Sequence, residues 1–157
     1  MTGPDDADSE STESGDPQAA IDAAGENRRE ARPAAFTAGD TPEGIPFVGA
    51  GPGDPGLLTV TGKELCEGAD LVVHAGSLVN SELLDAYCAD AETVSSIGKD
   101  LEELIPLMRD AHEEGKDVVR LHSGDPAVYG AALEQMDALA REGVPAYFVP
   151  GVTAAFA

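Results

Sequence analysis

From residue 45 onward, short apolar runs alternate with longer stretches whose apolar side chains recur at helical spacing, and glycine or proline marks nearly every change. Ile45, Phe47 and Val48 open this pattern as a short buried strand. Residues 59–68 predict a helix with Leu65 and Cys66 inward and Gly68 as its stop. Residues 70–74 are a second strand, apolar on both faces, and Asn80 or Ser81 caps a helix carrying Leu83, Leu84 and Tyr87. Residues 91–97 form a third, short strand. Asp100 opens the next helix, Glu103 completes a capping box, and Leu101, Leu104, Ile105, Met108 and Ala111 make the inward stripe. Pro106 interrupts that stripe and predicts a kink or a late start; Gly115 ends the helix. Residues 116–122 are the fourth strand. Residues 127–142 are expected to be the longest helix, with Val128, Ala131, Ala132, Leu133, Met136 and Leu139 on one side. Residues 144–149 are the fifth strand.

Strand and helix thus alternate throughout, which predicts an α/β fold: a mostly parallel five-stranded sheet with helices on both faces. Such a sheet gathers every strand-to-helix loop on one edge, where open α/β sheets bind their ligands. Residues 1–44 lack the alternation. They hold eleven Asp and Glu against Arg28, Arg29 and Arg32 on a Ser, Gly, Pro and Ala background, and are expected to be a disordered acidic tail before a folded domain at 45–157.

Charge narrows the function classes. The formal net charge is −21, and residues 45–157 have lysine only at Lys63, Lys99 and Lys116. Acidity this even suits a protein adapted to a high-salt cytosol, with an ordinary acidic protein as the alternative. It argues against a nucleic-acid partner, because no basic patch exists to displace counterions. Cys66 and Cys88 are too few for a disulfide framework or a thiolate metal site, so small core positions in a reducing cytoplasm are expected. No apolar run reaches the roughly 18 residues of a membrane span, and the N-terminus is acidic where a signal peptide is basic. No cluster of metal ligands is evident.

The chemistry concentrates in the loops. The first, VGAGPGDPGLLT at 48–59, is a turn that only glycine and proline build, set to bring main chain close to a ligand. It is not a dinucleotide fingerprint, because the third glycine would fall at 54, where Asp54 stands. It is not a phosphate loop either, since no Gly-Lys-Ser/Thr closes it. A ligand without strong negative charge fits best.

The succession VGAGPGDPGLLT, HAGSLV at 74–79, RLHSGDPAVYGA at 120–131 and FVPGVTAA at 148–155 resembles the amino-terminal half of the tetrapyrrole (corrin and sirohaem) methyltransferases, over about residues 45–157. Within that family it is most similar to the branch that methylates C11 of cobalt-precorrin-4, on residues 75–79 and on the stretch from His122 through Gln135 and Met136. The resemblance implies S-adenosylmethionine as cofactor and a tetrapyrrole as substrate. It places Pro52 against the cofactor through its main chain, Ser123, Gly124, Asp125 and Val128 as the central wall, and Thr153 and Ala154 as the last contact. It also implies a cytoplasmic enzyme, homodimeric at full length, with cobalt carried by the substrate. Methyl transfer of this kind needs positioning more than a strong base, and no catalytic residue is nominated.

Each residue also has a plain structural account. Asp54 and Asp125 precede proline, where an Asx turn suffices; Thr153 can cap a helix. His74 and His122 end strands, where a histidine either completes a local hydrogen bond or orients a substrate group. Position 74 is more usually aromatic in the family, and the family's second domain has no counterpart in these residues. This half alone is therefore expected to bind cofactor weakly and turn over little. Two alternatives stay open: a tetrapyrrole methyltransferase acting on uroporphyrinogen III or at another ring position, and a non-catalytic truncated binding module.

Overall fold

A computed structural model of the chain describes residues 42–128 and 131–155. The expected acidic tail, apart from residues 42–44, lies outside the described residues. Five strands, β1 (Ile45–Gly49), β2 (Leu71–His74), β3 (Glu92–Ser95), β4 (Val118–His122) and β5 (Ala146–Val149), form one sheet in the order β3-β2-β4-β1-β5. Every pairing is parallel. Four helices connect them: α1 (Val60–Glu67), α2 (Ser81–Tyr87), α3 (Leu101–Glu113) and α4 (Ala131–Arg141).

The side-chain alternation of the strands divides the core in two. On one face Ile45, Phe47, Leu71, Val73 and Val118 pack against Leu104, Ile105 and Met108 of α3 and Ala132 and Leu139 of α4. On the other, Val48, Val72, Val119 and Leu121 meet Cys66 of α1 and Leu83 of α2. Each fully buried side chain of this size, Phe47 among them, contributes about 1.5–3 kcal/mol. Pro46 is tolerated in a central strand because the pairing with β4 begins one residue later, at Phe47. Cys66 and Cys88 are both buried in the second layer; the hydrogen bond with Cys88, reinforced by burial, pushes the Cys66 thiol up, so it stays protonated. No described helix is long and apolar enough to cross a membrane.

Local signals placed most elements well. Thr59 caps α1 by accepting from the Gly62 N–H at 3.2 Å, Asn80 caps α2, and Asp100 and Glu103 exchange both bonds of a capping box. Three expectations need correction. Pro106 does not delay α3, which runs from Leu101 through it and forgoes the bond the Pro106 nitrogen would have made. Among the described residues α3, with 13, is longer than α4, with 11, because residues 125–128 are spent on a turn. The stripe on α4 holds at Ala132, Met136 and Leu139, which are buried or packed against the core, and fails at Val128 and Leu133, exposed at 54% and 57%, while Gln135 is buried in addition.

Candidate functional site

The site is built where the carboxyl ends of β1, β4 and β5 meet. Ala50 N–H donates to the His122 carbonyl at 2.7 Å, continuing the ladder one step past β1. Beyond it Gly51 and Gly124 form an isolated antiparallel bridge, exchanging N–H to O bonds of 3.1 and 2.8 Å. Both residues have positive φ, 70° and 66°, so the two loops can turn back on each other only with glycine in these places.

A second glycine junction draws in β5. A Cβ on Gly151 would lie 2.3 Å from the Gly124 oxygen and 2.7 Å from Gly49 Cα, and one on Gly49 would lie 2.5 Å from that same oxygen. Three main chains therefore touch without side chains between them. On Gly124, a Cβ would meet Ala154 N at 3.2 Å and Thr153 Cα at 4.0 Å. Thr59 adds a tie from the first loop to the last, its hydroxyl donating to the Pro150 carbonyl at 3.4 Å.

The residues singled out from the sequence are thus brought to one rim. Pro52 follows the Gly51 bridge, Ser123 and Asp125 flank Gly124, and Thr153 and Ala154 lie against Gly124. Val128 closes the Asp125 turn at its outer end, its N–H donating to the Asp125 carbonyl at 3.2 Å. Both aspartates do make Asx turns: Asp54 Oδ1 accepts from the Gly56 N–H and Asp125 Oδ1 from the Ala127 N–H, each at 2.8 Å. Asp125 Oδ2 makes no bond to any described residue, which leaves one carboxylate oxygen for a ligand.

Beside this rim lies a cleft of about 610 Å³ between Pro52 and Gly53 of the first loop and residues 77–81 after β2. Asn80 staples its walls, donating through Nδ2 to the Gly53 carbonyl at 3.0 Å while its Oδ1 accepts from the Glu82 N–H. Of the proposed cofactor residues only Pro52 lines the cleft, so the rim and the cleft are neighbouring halves of one edge.

Both strand-end histidines are shifted toward the neutral imidazole. Burial, reinforced by the Arg120 charge, lowers His122 to about 3, and its ring stacks on Phe47 with centroids 5.6 Å apart. Burial also lowers His74. His74 Nδ1 and His122 Nε2 are buried without a hydrogen-bond partner among the described residues.

Arg120, overlooked in the sequence, is 3% exposed beneath the edge. Its Nε donates to Gln135 Oε1 at 2.8 Å, Nη1 to the Val73 and Leu121 carbonyls at 3.1 and 3.2 Å, and Nη2 to Ser96 Oγ at 3.2 Å. It thereby ties the ends of β2 and β4, the turn after β3 and α4. Burial without a carboxylate partner lowers the guanidinium to about 10. The signal was there to see: one cation inside the apolar run 118–121 and one amide inside the apolar stripe of α4.

A family model described as Tetrapyrrole (Corrin/Porphyrin) Methylases matches residues 44–157. The chain belongs to the tetrapyrrole methylases. The chain is 50% identical over 111 residues to a cobalt-precorrin-4 C(11)-methyltransferase of Methanocaldococcus jannaschii, covering 71% of this chain and 43% of that protein. The solved structure of a cobalamin biosynthetic enzyme, a cobalt precorrin-4 methyltransferase, aligns with a TM-score of 0.68 and 48% identity, covering 74% of this chain and 51% of that one. A uroporphyrin-III C-methyl transferase of Thermus thermophilus, complexed with S-adenosyl homocysteine, aligns with a TM-score of 0.59 and 39% identity over 70% of this chain and 45% of that one. The chain thus spans less than half the length of the curated relative.

Proposed function

We propose that the chain is the cofactor-binding half of an S-adenosylmethionine-dependent methyltransferase that acts at C11 of cobalt-precorrin-4 or precorrin-4 in cobalamin biosynthesis. The observation that carries this reading is the glycine junction. It brings Pro52, Ser123, Gly124, Asp125, Thr153 and Ala154 to one rim, in a chain 50% identical to a C11 enzyme. When bound, S-adenosylmethionine would supply a methyl group to a nucleophilic ring carbon, with the neutral thioether S-adenosylhomocysteine as the leaving group. The residues present suit that group. Main chain approaches closely at Gly51 and Gly124, Asp125 offers a free carboxylate oxygen to a cation, and no lysine or arginine stands in the loops at 49–58, 123–128 or 150–155.

In this reading Pro52 and the Gly124 backbone hold the cofactor, Val128 lies at the outer edge of its seat, and the cleft beside Pro52 receives the macrocycle. The chain contributes orientation and partial exclusion of water; cobalt belongs to the substrate. The same reading takes the protein to be cytoplasmic, salt-adapted, without a nucleic-acid partner, and homodimeric at full length. The net charge of −21 supports the salt adaptation and speaks against nucleic acid. Similarity to the uroporphyrin-III enzyme keeps another ring position as the second reading, at 39% identity. Isothermal titration of the whole chain with S-adenosylhomocysteine in molar salt tests the proposal. Binding on the order of micromolar is expected. No detectable binding would make the chain a remnant without a working half-site.

A further inference from the structure

We infer that the exits of β2 and β3 form a carboxylate-recognition site for the periphery of the macrocycle, with Lys99 as contact residue; this rests on the tetrapyrrole substrate proposed above. The inference starts from the distribution of positive charge. Most described cations are in ion pairs: Lys63 with Glu67, Arg109 with Asp110 and Glu142, Lys116 with Glu114, and Arg141 with Asp137. Lys99 and Arg120 have no carboxylate partner among the described residues. In a chain with 30 Asp and Glu against 9 Lys and Arg, a cation without a partner is unexpected, and both of these residues bond Ser96.

Arg120 donates to Ser96 Oγ, and Lys99 closes the turn that Ser96 begins, its N–H bonding the Ser96 carbonyl at 3.3 Å. That turn is packed against the wall of the cleft. A Cβ on Gly76 would lie 2.2 Å from Ile97 Cδ1, and Ser77 and Leu78, which follow Gly76, line the cleft. Leu78 and Ile97 are 69% and 64% exposed, an apolar ledge suited to the flat face of a macrocycle. Asp100 and Glu103 each accept the other's main-chain N–H in the capping box, which fixes both carboxylates at the start of α3 without neutralising them, and Glu102 lies between them in sequence.

A ligand bearing several carboxylates is repelled by most of this surface and is drawn to a cation that has no carboxylate partner. Arg120 is too buried to touch a ligand and contributes its field. Lys99, exposed, supplies the contact. The edge is then divided: Asp125 beside Gly124 faces the cationic cofactor, and Lys99 faces the anionic substrate.

The test titrates the whole chain with uroporphyrin III, which bears carboxylates on all its side chains, and with its methyl ester, followed by absorbance. Lys99→Glu is expected to weaken binding of the acid about tenfold and Lys99→Gln about threefold, with S-adenosylhomocysteine affinity unchanged in both. Lys116→Glu makes the same change in net charge at the opposite edge and is expected to leave porphyrin binding within about twofold of the parent. The inference is overturned if Lys99→Glu binds the acid as the parent does, or if the ester binds the parent as tightly as the acid. Failure of the parent chain to bind S-adenosylhomocysteine would instead overturn the methylase reading itself.

Discussion

Replacing Gly151 with alanine places a carbon 2.3 Å from the Gly124 oxygen and 2.7 Å from Gly49 Cα, where ordinary contact begins at 3.4 Å. The obstructing atoms are main chain, so no rotamer change relieves the clash, and the β5 exit must move by about 1 Å from the β1 and β4 exits. Gly151 has no positive φ, so the penalty is steric. Overpacking of this kind costs about 1–3 kcal/mol, a large share of a total stability of about 5–15 kcal/mol but short of unfolding the domain. Loops that separate by that much no longer present Gly124 and Thr153 to one ligand, and S-adenosylhomocysteine affinity should fall at least about tenfold. The assay pairs urea unfolding with calorimetric titration. Gly68→Ala is the control: its added carbon meets nothing closer than 3.4 Å, and both quantities should change little. If Gly151→Ala kept the parent's urea midpoint and bound the ligand within about twofold, the three exits would not be in the contact described.

Arg120→Met should cost about 1–3 kcal/mol in urea unfolding, because it leaves the Gln135 amide buried without its donor. The double change Arg120→Met with Gln135→Leu should recover most of that loss, since a buried cation without a carboxylate gives way well to apolar packing. His122 binds its proton only near pH 3 when folded, whereas the unfolded chain binds one near the ordinary value of 6.5. Its contribution is therefore present above pH 6.5 and lost as pH falls from there toward 3, and His122→Phe, stacked on Phe47, should flatten that part of the stability profile. Thr59→Ala removes both the cap on Gly62 and the tie to Pro150 and should lower stability by about 1 kcal/mol, read from the urea midpoint.

The order of elements was legible because a parallel sheet covered on both faces writes itself as apolar runs separated by amphipathic helices. Caps at Asn80 and Asp100 set helix starts to within a residue, since the capping oxygen and the N–H it accepts from are neighbours in sequence. What escaped was non-local. Periodicity could not reveal that Asp125 would hold residues 125–128 in a turn with Val128 exposed, or that Gln135 would be buried against Arg120. The role of Arg120 was equally hidden, because its partners lie 1, 15, 24 and 47 positions away and an apolar strand by itself says nothing of them. The rim residues came from the resemblance, and turn chemistry marked only the glycines among them. Gly49, Gly51, Gly124 and Gly151 stand where no side chain fits, and turn chemistry marks such positions before any contact is known.

The most direct test of the account is an amide chemical-shift map of the whole chain with and without S-adenosylhomocysteine. Shifts concentrated at Gly51 and Gly53, at Ser123, Gly124 and Asp125, and at Thr153 and Ala154 would show three distant loops meeting one ligand. Saturable shifts confined to any other part of the sheet, or to only one of those loops, would contradict it.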